Sequence, residues 1–286
     1  MERRARLAAS DYQAIGHAAD TFEWNAQNIT FVASLVVQFL VLAFSIFTLF
    51  VGNPPEVLSL VLTLESVVQG VELAWYVLIG SLFRWGQRCF KRRRRPFNFG
   101  VEFRYFDWYV TTPLMLITLF FLCMYFHNPC MREEQLAEYP RFVGYLVLIV
   151  LMDWAMLTLG LVVELDVRNV QQYSPRLLLA LGFLPFFAAF TPHFDVLAQR
   201  ATTEGIAVVA VTIVLWAVYG AVSLWLVGKD TAQTKNAWFN ILDIFSKNVA
   251  GVVVSIVALA YDPDAHGCPS PPPPPAPPLA PPPPLA

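Results

Sequence analysis

Seven runs of apolar residues alternate with short polar intervals along this chain, each long enough to cross a hydrocarbon layer as a helix. They lie at Ile29–Val51, Val57–Phe83, Val101–Phe126, Phe142–Glu164, Arg176–Phe194, Ile206–Val227 and Ala237–Tyr261. The pattern predicts an all-α protein, a seven-transmembrane-helix bundle. Pro185 and Pro192 interrupt the fifth run, which predicts a kinked span, because neighbouring helices can satisfy carbonyls that proline frees. Residues 1–24 form a polar segment, 25–261 the membrane domain and 262–286 a tail that is nearly all proline. The tail reads as an extended polyproline-type segment, expected to be a disordered spacer, with a ligand for a proline-binding partner as the alternative. No internal repeat is evident.

Composition sharpens this picture. Only 14% of the 286 residues are charged and the mean hydropathy is +0.53, whereas a soluble domain carries about 25% charged residues. The protein is expected to be integral to a lipid bilayer, and nothing points to nucleic acid. The polar start and the long first run predict no cleavable signal. Cys89, Cys123, Cys130 and Cys268 show neither metal spacing nor a disulfide framework.

The charges that remain inside the apolar runs carry the chemistry. Lys247 lies near the middle of the seventh run, where an ammonium costs roughly 2.5–3.5 kcal/mol and needs a partner, a cavity or a chemical conversion. Asp243, four residues earlier, points the same way on a helix. A lysine that sheds its hydration is also the kind that forms a Schiff base with an aldehyde. In the third run, Arg104, Asp107 and Thr111 share one face of RYFDWYVTTPL. In the second, Glu65, Gln69 and Glu72 form a polar stripe, and intramembrane carboxylates commonly mark ion pathways. A membrane enzyme using Lys247 as covalent catalyst lacks any companion set of nucleophile, base and oxyanion donors, so no enzymatic activity is expected.

The third-run motif RYxDWxxTTP together with DxxSK in the seventh resembles the microbial (type I) rhodopsins, over roughly Asn25 to Tyr261. The resemblance implies the microbial rhodopsin fold and covalently bound all-trans retinal. Carried over by position, Lys247 matches the retinal-linking lysine, Asp107 and Asp243 the counterion carboxylates, and Arg104 the arginine beneath them. Asp107 would also be the proton acceptor. Trp108, Thr111, Thr112, Asp153, Met156, Gly160, Trp216 and Tyr219 match the retinal pocket, with Thr112 and Asp153 expected to pair. Two departures stand out. Gly220 replaces the usual proline after the tyrosine, and Ser223 replaces a frequent tryptophan; both predict a looser pocket near the ring.

The resemblance also bears on transport. The proton-donor position of an outward pump holds Thr118, which cannot supply a proton near neutral pH. The Glu65–Gln69–Glu72 stripe is similar to that of channelrhodopsins and, more closely, of channel-like rhodopsins encoded by giant viruses of algae. NILDIFSKN in the seventh run is similar too, which adds Asn240 and Asn248 to the expected route. The expectation is a light-gated cation channel in a plasma membrane, passing cations or protons and compatible with a homo-oligomer. The alternatives are a proton pump with slow reprotonation and a sensory rhodopsin.

Orientation is contested. The family places its amino terminus outside. Yet Arg3, Arg4, Arg6, Lys91–Arg95, Arg168, Lys229 and Lys235 all fall on the amino-terminal side, against Arg132, Arg141 and Arg200 opposite. The positive-inside rule would put the amino terminus in the cytoplasm. Because that rule is statistical, the expectation follows the family.

Overall fold

The computed structural model describes residues 26–52, 54–90, 101–165, 174–227, 232–262 and Cys268. The polar segment 1–24 and, apart from Asp262 and Cys268, the proline-rich tail lie outside the described residues.

Seven helical spans cross from end to end, and each overlaps its predicted run. They are α1 (Ala26–Val51), α2 (Glu56–Phe90), α3 (Glu102–His127), α5 (Phe142–Leu165), the broken span α6 (Pro175–Leu181), α7 (Phe183–Ala189) and α8 (Thr191–Gln199), then α9 (Thr203–Leu226). The seventh comprises α10 (Ala232–Asp243), one π turn (Ile244–Asn248) and α11 (Val249–Leu259). A short helix α4 (Glu133–Ala137) caps the loop after α3. No strand occurs among the described residues.

Sequence explains the breaks. Pro175 and Pro192 sit in the first turn of α6 and α8, where a missing N–H is not needed. The fifth span is therefore three pieces joined at Gly182 and Phe190 rather than one kinked rod. Pro113 lies inside α3 and frees the carbonyl of Tyr109. Trp154 Nε1 of α5 donates to that carbonyl at 2.9 Å, so the interrupted helix loses no partner in the membrane.

The third span is the most buried of the seven, and α2 and α3 pack most extensively together. Two apolar clusters flank its polar middle. One gathers Phe120, Phe121, Tyr145, Phe186 and Phe190 toward the α3–α5 loop. The other gathers Tyr105, Trp108, Leu157 and Phe239 toward the amino-terminal end. Large apolar side chains such as Phe39, Phe47, Leu151 and Val214 stay exposed on the outside, where lipid would cover them.

One expectation fails. Cys130, after α3, and Cys268, after α11, form a disulfide with Cα atoms 5.3 Å apart. The partners are separated by 138 residues, and only closure of the bundle brings these two ends together, so spacing could not reveal them. Cys123 is a buried free thiol.

The Trp154–Tyr109 bond makes a prediction. Trp154→Phe should lower thermal stability by about 1 kcal/mol, the scale of hydrogen bonds between membrane helices. In a Pro113→Ala background the restored amide satisfies Tyr109, so the same change should cost less. Thermal unfolding of the four proteins of that double-mutant cycle measures the difference.

Candidate functional site

The site begins with the π turn. One extra residue in the turn lets Val249 N–H reach Ile244 O, and such turns recur at functional sites. Lys247 lies within it, with a side chain only 2% exposed. Its Nζ is 3.1 Å from Asp107 Oδ2, 3.2 Å from Glu72 Oε1 and 3.9 Å from Asp243 Oδ1. Thr111 Oγ1, at 3.4 Å, also faces it. At an effective dielectric of about 20, each of the two nearest carboxylates contributes on the order of 5 kcal/mol of attraction. Together they offset the roughly 2.5–3.5 kcal/mol that each buried charge, ammonium and carboxylate alike, costs at mid-membrane. The cluster can therefore hold a cation at Lys247.

A second cation organises the amino-terminal side. Arg104 Nη1 donates to Asp243 Oδ2 at 2.8 Å and to Tyr76 Oη at 3.1 Å, Nε donates to Asn236 Oδ1 at 3.1 Å, and Nη2 bonds Asn240 Oδ1. Asp243 also accepts from Tyr76 at 2.8 Å and Tyr219 at 2.7 Å. A carboxylate held by an arginine and two phenols is fixed in place, so Asp243 serves Arg104 more closely than Lys247. The sequence-based pairing of Asp243 with Lys247 thus becomes a shared network. Glu72, expected on an ion route, stands instead directly at Lys247. The contact depends on how α2 packs against the seventh span, which no spacing within α2 reveals.

On the other side of Lys247 is a cavity between α3, α5, the fifth span and α9. Trp108, Thr112, Met156, Gly160, Trp216 and Tyr219 line it. Thr111 and Asp153 do not. Thr111 points at Lys247, and Asp153 lies behind the wall, accepting from Thr112 Oγ1 at 2.7 Å. Sequence reasoning missed Tyr105, Phe183 and Phe239, aromatic residues that complete the lining. Their spacing in α3, α7 and α10 is that of any buried face.

Glycine shapes two walls. A Cβ on Gly160 would meet Tyr105 Oη at 2.6 Å, and one on Gly220 would meet Phe183 Cζ at 2.5 Å. The second contact corrects an expectation. Gly220 leaves no slack, because the Phe183 ring occupies the space that a larger residue would take. Ser223 is buried on the same wall.

A polar seam runs along the opposite side, between α1, α2 and the seventh span. The residues that α1 buries are Ser34, Gln38, Val41, Ser45 and Thr48, while its apolar face points outward. Ser45 and Ser255 hydroxyls meet at 3.2 Å. Gln69 Nε2 donates to Glu65 Oε1 and to the Lys247 carbonyl, both at 3.0 Å. Glu65 is fully inside the bundle, and Gly251 makes room for it, since a Cβ there would sit 3.1 Å from Glu65 Oε1. Asn240 bonds Thr30 on α1, and Asn248 Nδ2 reaches the Asp243 carbonyl at 3.4 Å. The α1 stripe was legible in the sequence as polar residues at alternating steps of four and three, once Val41 is counted with them. It hid within a strongly hydrophobic run.

Seven spans, a lysine in a π turn amid carboxylates and an aromatic cavity beside it make a helical membrane protein with a buried amine facing an apolar cavity. Residues 25–260 match the family described as bacteriorhodopsin-like protein, and the chain belongs to it. Solved structures with this fold include viral rhodopsin OLPVRII, at 19% identity and a TM-score of 0.64, covering 81% of this chain and 96% of that one. Xanthorhodopsin, a light-driven ion pump with dual chromophore, matches at 16% identity and 0.63, over 85% and 95%. Cyanorhodopsin from the cyanobacterium Tolypothrix sp. NIES-4075 matches at 18% and 0.60, over 86% and 98%. No curated protein matches the chain. The family implies a retinal chromophore, and the site fits one: an aromatic sleeve, narrowed at Gly160, ends at a buried lysine amine.

Gly220→Ala should force Phe183 aside and cost about 1–3 kcal/mol of stability. Phe183→Leu should recover most of that loss in the double variant. Thermal unfolding of the purified proteins checks both.

Proposed function

We propose that this protein is a retinal photoreceptor of the plasma membrane that passes cations when illuminated. Lys247 would carry all-trans retinal as a Schiff base, and the bound chromophore supplies light absorption and a change of shape. The chain's own residues supply the rest. Asp107 and Glu72 hold the positive charge at Nζ, with Asp107 the nearer and the main counterion. Arg104 and Asp243, locked by Tyr76, Tyr219 and Asn240, fix the field on the amino-terminal side. Trp108, Trp216 and Phe183 confine the chromophore sterically.

The observation that carries the channel reading is the inward polar face of α1. Serine and threonine also fill plain helix interfaces in membranes, so the weight falls on the buried amide and carboxyl groups. Gln38 is buried on that face beside Ser34, Ser45 meets Ser255, and Glu65 and Gln69 are buried together on α2. Gln38 Oε1, Gln69 Oε1 and Asn248 Oδ1 accept no hydrogen bond from the protein, which suits a hydrated path. The far side offers less to a pump. Thr118 is buried and cannot donate a proton near neutral pH, and Asp153 is engaged by Thr112.

Lys247→Ala should abolish visible absorbance in protein reconstituted with retinal, and a coloured variant would refute the chromophore assignment. Asp107→Asn should shift the absorbance maximum to longer wavelength, because the ground-state cation loses its nearest carboxylate. An unchanged spectrum would assign that role to Glu72.

Voltage-clamp recording under illumination decides the transport mode. The expected photocurrent reverses sign near the equilibrium potential of the permeant cation, and Glu65→Gln should reduce it severalfold or alter selectivity by removing a carboxyl from the path. A one-way proton current insensitive to Glu65→Gln would instead identify a pump. No photocurrent despite surface expression would identify a sensor.

A further inference from the structure

We infer that the chain sits in its membrane with the amino-terminal end toward the cytoplasm and the Cys130–Cys268 end outside, the reverse of the family orientation.

The first observation is the disulfide. Cys130 follows α3 and Cys268 follows α11, so the bond belongs to the end of the bundle away from the amino terminus. Disulfides form and persist on the secreted side of a membrane, whereas cytosolic thiols are kept reduced. In the family orientation this pair would face the cytosol. In the reversed orientation it faces an oxidising compartment, and the bond ties the loop after α3 to the chain after the last span.

Charge gives independent support. The polypeptide linking α2 to α3 contains Lys91, Arg92, Arg93, Arg94 and Arg95, and Arg3, Arg4 and Arg6 precede α1. By connectivity these share one side with Arg168, Arg176, Lys229 and Lys235. The disulfide end has only Arg132, Arg141 and Arg200 in its loops and span ends. Short basic loops remain in the cytoplasm and are drawn to the anionic inner leaflet. At the disulfide end, Glu133 N–H donates to Glu56 Oε2 at 3.0 Å and joins α4 to the start of α2.

The consequence is vectorial. The Arg104–Asp243–Asn240 network lies on the amino-terminal side of Lys247, so it faces the cytoplasm. Glu65 and the Ser45–Ser255 pair face outside. Any charge displaced from Lys247 toward Arg104 moves inward.

The test uses the full chain in intact cells, with Cys89→Ser and Cys123→Ser leaving the disulfide pair as the only cysteines. A membrane-impermeant maleimide should label nothing at first. After a membrane-impermeant phosphine reductant is added, labelling should rise at least tenfold without permeabilisation. Labelling that requires permeabilised cells, with or without reductant, would overturn the inference. An amino-terminal epitope tag on the otherwise unaltered chain gives a second measurement should the serine variant fold poorly. Antibody access only after permeabilisation supports the reversed orientation, and access on intact cells overturns it.

Discussion

The buried charge at Lys247 is the constraint on which the rest of the bundle depends. An ammonium at mid-membrane is tolerable only if carboxylates reach it, and they must come from different helices. Asp107 comes from α3 and Glu72 from α2, at 3.1 and 3.2 Å. These contacts fix how α2, α3 and the seventh span pack and rotate. The π turn belongs to the same solution, since it lies where the lysine meets both partners. Loss of one carboxylate would leave the charge to the other alone.

Around that charge the interior divides in two. Toward α5, the fifth span and α9 it is aromatic, with Trp108, Phe183 and Trp216 forming a sleeve. Toward α1 and α2 it is hydroxyl, amide and carboxyl. Lys247 stands on the boundary, on the cavity wall and yet with Nζ among the carboxylates. A change of shape in the sleeve is thus transmitted through one side chain to the polar half. Gln69 adds a second link, because it holds the Lys247 carbonyl and Glu65 together. Packed interiors respond to such shifts by repacking rather than by continuous deformation.

Much of this was legible in the sequence. Hydrophobic period and length gave all seven spans, and the buried residues Lys247, Asp107, Asp243 and Arg104 were marked by the cost of charge in an apolar run. What escaped depended on contacts between distant segments. Glu72 was visible as an intramembrane carboxylate but not as a neighbour of Lys247. The filling of Gly220's space by Phe183 requires α7 to face α9. The disulfide joins cysteines whose only relation is that both close the same end of the bundle. The α1 stripe was the exception, a local pattern masked by the strong apolar character of the residues between its members.

Charge counting then bears on what the seam would conduct. At the centre, Glu72, Asp107 and Asp243 face Lys247 and Arg104, so carboxyl groups outnumber cations. Glu65 adds another carboxyl farther along, with Gln69 as its hydrogen-bond donor. In a low-dielectric passage, fixed groups of one kind act over short distances with little screening. A passing anion would meet carboxyl oxygens at each step, and the two cations are already engaged. A passing cation would find oxygen ligands from Ser45, Glu65, Gln69 and Asn248 in sequence. If the seam conducts as proposed, the arrangement that makes Lys247 tolerable in the membrane would also bias it toward cations.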